Sequence, residues 1–139
     1  MSDLLNPAQL RSVEVTLRTF EKNLRLSAAW LDGEEENGIL YRRKLTLPAA
    51  QGDVARQRIN AALEQIAILA RMLDLPPEEE DVIRLIRGRL AVSWANLIDS
   101  QSSKLKRYGD VDPEAERTLD PAIRRLVKLV QELESIIEG

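Results

Sequence analysis

The side chains able to do chemistry in this chain are carboxylates, guanidiniums, lysine amines, hydroxyls and four large ring systems: two tryptophans and two tyrosines. Histidine and cysteine are absent. That removes the commonest general base and metal ligand, every thiolate nucleophile and every disulfide. A nucleophilic triad has no histidine to serve as its base. Carboxylate-bridged metal bundles of the Glu-x-x-His type have no histidine. A magnesium site made of oxygen ligands would need paired acids on facing helices. The nearest spacing is Glu78 with Asp81, at a predicted helix start where acids suit the helix dipole anyway. Gly33 and Gly38 flank glutamates, so neither makes a phosphate cradle. No metal, cofactor or small-molecule site is expected.

Two polar chemistries stay open. Arg84, Arg87 and Arg89, with Arg56 and Arg58, could line the polar pocket of an arginine-based bundle enzyme. A solvated face is the simpler account. Basic clusters at Arg42, Arg43 and Lys44, and at Lys104, Lys106 and Arg107, each adjoin a tyrosine, Tyr41 or Tyr108. Base beside an aromatic ring is the raw material of single-strand nucleic-acid binding. The net charge of -3 gives no global attraction to phosphate. Contact with nucleic acid is therefore the alternative expectation.

The elements that must position these groups are helical. A chain of 139 residues has the length of one domain, spanning 1–139, and can bury roughly 68% of its unfolded surface. Asn6, Pro7 and Gln9 form a capping-box start. The first helix carries the seam Leu10, Val13, Leu17, Phe20, Leu24, Ala28 and Leu31, closing near Asp32-Gly33 or Asn37-Gly38. Residues 34–47 are the least helical part: a long connection, with a short edge strand or a helical turn as alternatives. Ile39, Tyr41, Leu45 and Leu47 would share a face if extended. The second helix, starting at Pro48 or behind Asp53, carries Ile59, Ala62, Leu63, Ile66, Leu69, Ala70 and Leu73. Leu75-Pro76-Pro77 ends it. A third, long helix is predicted over Asp81–Tyr108, with Glu78–Asp81 acidic at its start and Lys104, Lys106 and Arg107 basic at its end. The fourth starts at Pro113 or Pro121 and carries Leu119, Ile123, Leu126, Val130, Leu133 and Ile137. The expected architecture is all-α, a four-helix up-down-up-down bundle with a long connection between helices 1 and 2.

The third helix has more apolar residues than one packed stripe needs. Ile83, Leu90 and Leu97 make a seam, while Leu85 and Val92 lie about 160° away at 100° per residue. Ile68 and Leu75 show a similar excess on the second helix. Large apolar surface on a charged protein usually marks an interaction site. Ile68, Leu85, Val92, Trp94 and Trp30 are the candidate partner-binding residues, tryptophan being enriched at binding hot spots. The function these residues imply is a non-enzymatic interaction module that binds another protein or itself through the helix 2–helix 3 hairpin. No apolar run reaches the ~18 residues of a membrane span. The opening MSDLLNPAQ lacks the basic and apolar blocks of a secretory leader, so a cytoplasmic location is the expectation.

Overall fold

The structure is a computed structural model that describes residues 4–33 and 37–138. It is all-helical, and none of the described residues lies in a strand. The helices are α1 (Pro7–Leu31), α2 (Ala49–Met72), α3 (Val82–Ile98), the single turn α4 (Ser102–Leu105), and α5 (Pro113–Glu138), with a 3-10 turn over Lys106–Tyr108. Contacts divide the chain into two compact units, Met1–Pro77 and Glu78–Gly139.

In the first unit, α1 opens on the predicted capping box. The Gln9 N–H donates to Asn6 Oδ1 at 2.8 Å, and the Asn6 N–H donates to Gln9 Oε1 at 3.0 Å. Glu14 with Arg18, and Glu21 with Arg25, pair one turn apart. The helix stops at Asp32, and Gly33 at φ 70° takes the left-handed conformation that suits glycine. α2 begins directly after Pro48 and packs on α1. Every predicted α2 seam residue from Ile59 to Leu73 is half-buried or buried. Phe20 departs from the α1 seam and is exposed.

Arg56 joins the two helix ends. Its guanidinium donates to Asp32 Oδ1 (2.5 Å), to Asp53 Oδ1 (3.0 Å) and to the Leu31 carbonyl (2.7 Å). A cation there satisfies a terminal carbonyl of α1 and faces the negative end of its dipole. At its other end α2 closes in a Schellman turn: the Leu75 N–H donates to the Ala70 carbonyl at 2.8 Å, with Asp74 at φ 54°. The two prolines lie beyond this stop.

Of the 34–47 connection, residues 34–36 lie outside the described residues. Residues 37–47 are non-helical and exposed throughout. They hold neither the edge strand nor the helical turn that the sequence leaves open. A tight turn closes on the Gly38 N–H donating to the Tyr41 carbonyl at 3.1 Å. A Cβ at Gly38 would collide with the Tyr41 ring. The turn holds Ile39 and Leu40 almost fully in solvent.

In the second unit, the helix predicted over Asp81–Tyr108 is broken. α3 ends at Ile98 with Asp99 as C-cap. The reason lies in the run Asn96 to Ser103, rich in side chains that compete for backbone groups. The Ser100 hydroxyl donates to the Asn96 carbonyl at 2.9 Å. The charge pattern also falls differently from the expectation. Asp81 is the N-cap, accepting from the Ile83 N–H at 3.0 Å, and Glu78, Glu79 and Glu80 precede the helix. Lys104, Lys106 and Arg107 belong to α4 and the 3-10 turn, not to the end of α3. α5 starts at Pro113 and runs through Pro121. It packs on α3 and on α4.

Candidate interaction surfaces

A two-helix unit can bury one stripe per helix. In the second unit this limit is plain, because its buried residues among those described are polar: Ser102 and Asp120. The Ser102 N–H donates to Asp120 Oδ1 at 2.8 Å, and the Ser102 hydroxyl donates to Oδ2 at 2.6 Å. Asp120 therefore caps α4 from within α5. Its hydrogen bonds to the Ser102 hydroxyl and backbone hold its pKa below the ordinary 3.8, and Arg124 lowers it further against the opposing effect of burial. Both carboxylate oxygens are thus engaged in holding the start of α4.

The apolar residues of this unit lie on its surface. On α3 only Leu90, Leu97 and Ile98 are half-buried. Leu85 is 50% exposed and Val92 is 62% exposed. Val82 and Trp94 are exposed as well. On α5 the half-buried apolar stripe is Leu119, Ile123, Val127, Val130 and Ile137, while Leu126, Leu129, Leu133 and Ile136 are exposed. The seam read from sequence mixes these two sets. Leu126 and Leu133 leave it, and Val127 joins the packed stripe.

The first unit has one buried apolar side chain among the described residues, Leu73 at 7%. Ile68 and Trp30 are exposed there. Trp30 and Ile68 belong to the first unit, and Leu85, Val92 and Trp94 belong to the second.

A cleft of about 770 Å³ sits where α1 meets the connection, with Trp30, Asp32, Asn37, Arg43 and Leu45 in its wall. The Arg43 guanidinium lies 5.2 Å from the ring centres of both Trp30 and Tyr41, a cation–π geometry. Its backbone N–H donates to Asn37 Oδ1 at 2.9 Å. The structure thus joins one predicted partner-binding residue, Trp30, to one predicted nucleic-acid residue, Arg43. The two stand far apart along the chain, and no local spacing connects them. Arg42 and Lys44 flank Arg43, with Lys44 in the cleft wall. Arg107 of the second basic cluster lies 5.0 Å from the Tyr108 ring centre, with Lys104 and Lys106 beside it.

The residues weighed for arginine-based or metal chemistry are placed as follows. Arg56 is committed to α1. Of the other four arginines, Arg58, Arg84, Arg87 and Arg89 are all exposed. Glu78 precedes α3 while Asp81 caps it, so the two do not share a helix face. Among the described residues no group of three acidic side chains gathers as metal ligands, and no helix is long and apolar enough to cross a membrane. Comparison with protein-family models, curated proteins and solved structures returns no match.

Proposed function

We propose that the protein is a non-enzymatic interaction module that binds another protein, or a second copy of itself, through apolar helix faces. The supporting observation is the outer face of α3, where Leu85 and Val92 stay exposed while Leu90 and Leu97 take the packed positions. Exposed leucine and valine set seven residues apart, with Arg84 and Arg89 alongside, have the form of an apolar strip with a charged rim. Trp94, Trp30 and Ile68 add apolar area on other faces.

In the same proposal, the four long helices suit an up-down-up-down bundle within one chain. Such a bundle still leaves one face of each helix in solvent. Leu85 and Val92, about 140° from the packed residues of α3 at 100° per residue, would occupy that face.

The test is Leu85→Asp and Val92→Asp, singly and together. Both positions are exposed, so helicity by circular dichroism should match wild type and stability should change by no more than about 0.5 kcal/mol. Sedimentation velocity should show the association carried by this face, with a partner or with a second copy, weakened or lost. Variants that unfold would place these residues in a core, and folded variants with unaltered association would refute the assignment.

A further inference from the structure

The α5 surface carries a second, more specific pattern, whose assignment to self-association rests on the interaction-module reading. Leu119, Ala122, Leu126, Leu129, Leu133 and Ile136 recur at alternating steps of three and four. This is the a/d pattern of a coiled-coil seam. It runs about 26 Å at 1.5 Å per residue. Leu126, Leu129, Leu133 and Ile136 are exposed. The stripe packed against α3 lies about 100° round the helix, so the two are occupied independently except at half-buried Leu119, which lies at the edge of both.

We propose that this seam pairs with the α5 seam of a second copy, antiparallel about a two-fold axis between Val127 and Lys128. In that register Leu126 meets Leu129 of the second copy, Ala122 meets Leu133, and Leu119 meets Ile136. All six seam residues find a partner. The same register brings Arg125 diagonally across from Glu132 of the second copy, about 3 Å off level at 1.5 Å per residue, twice by symmetry. These two residues flank the seam at its g positions, are exposed, and have no ion-pair partner among the described residues.

The charges choose between registers. Sliding the pair by one heptad in either direction brings Glu132 against Glu132, or Arg125 against Arg125, at the axis. A parallel pairing would put Arg125 opposite Val130 and Glu132 opposite Ile137, where no ion pair forms. Only the proposed antiparallel register combines full use of the seam with two opposite-charge contacts. A self-complementary patch of this kind is what a two-fold dimer requires. A single short seam is below the roughly 800 Å² per partner of a standard interface, so the dimer should be concentration-dependent.

The experiment is a charge swap on the full chain, read by sedimentation equilibrium. Arg125→Glu and Glu132→Arg should each weaken dimerisation about tenfold, since two attractions become two repulsions. The double variant should restore wild-type affinity, which damage to folding would not do. Because the chain has no cysteine, Leu126→Cys and Leu129→Cys chains can be mixed and oxidised. The mixed 126–129 disulfide should exceed either homodisulfide. A dimer indifferent to the swaps, or one dominated by 126–126 disulfide, overturns this register while leaving the assignment of α3 to its own test. A chain monomeric at all concentrations overturns the pairing.

Discussion

Asp120 shows how one residue can be read for the right chemistry and the wrong helix. Asp120-Pro121 has the form of a helix start, and α5 runs straight through it. The carboxylate does cap a helix, but it caps α4, eighteen residues earlier in the chain. Nothing in the local sequence distinguishes a cap for the next turn from a cap for a distant one. The bond has a pH signature. Its folded-state pKa is depressed, so its contribution is complete above the unfolded value and is lost as pH falls through the folded one. Asp120→Asn should lower the melting temperature at pH 6. The gap to wild type should narrow once pH drops below about 3.9. Thermal melts from pH 6 to pH 2.5 would check this, and a gap that is constant with pH would show that the carboxylate's charge is not involved.

At the scale of elements, the helical periodicities of α1 and α2 were legible almost residue by residue, since each helix has one dominant stripe. The α2 seam holds at every predicted position, and α1 loses only Phe20. The break at Asp99–Gln101 was not legible, because the apolar spacing of Leu97, Ile98 and Leu105 continues across it while the backbone competition of Ser and Asn interrupts the helix. α5 was mixed for a related reason. Two adjacent stripes on one helix give a single broad periodicity, and only packing against α3 separates them. The junction of α1 and α2 was missed altogether, as Arg56 carried no local motif. Arg56→Ala should destabilise the first unit by about 1–2 kcal/mol through the lost charge-assisted bonds to Leu31 and Asp32. Arg56→Lys should recover only part of this, since an ammonium cannot span three acceptors in the fork geometry of a guanidinium. Urea unfolding of both variants would measure the difference. Equal stability of Arg56→Ala and wild type would reduce the contact to a surface ion pair.

At the scale of the molecule, each unit is organised around one helix–helix contact, α1 on α2 and α3 on α5. The sequence placed apolar excess on the third helix, and Leu85 and Val92 are exposed there. It did not anticipate that α5 would carry a comparable surplus, because its leucines were assigned to a single seam. The candidate cleft at Trp30 and Arg43 was legible only as two unrelated signals, one aromatic and one basic.

The central claim is that the exposed α5 seam is completed by a second copy of the chain. Sedimentation equilibrium of the wild-type protein over a wide concentration range tests it most directly. The apparent mass should rise from 15.7 kDa toward twice that value, with Leu126→Asp/Leu133→Asp holding the chain at the lower limit while it stays helical. A mass fixed at 15.7 kDa at every concentration, or a dimer that survives that double substitution, would contradict it.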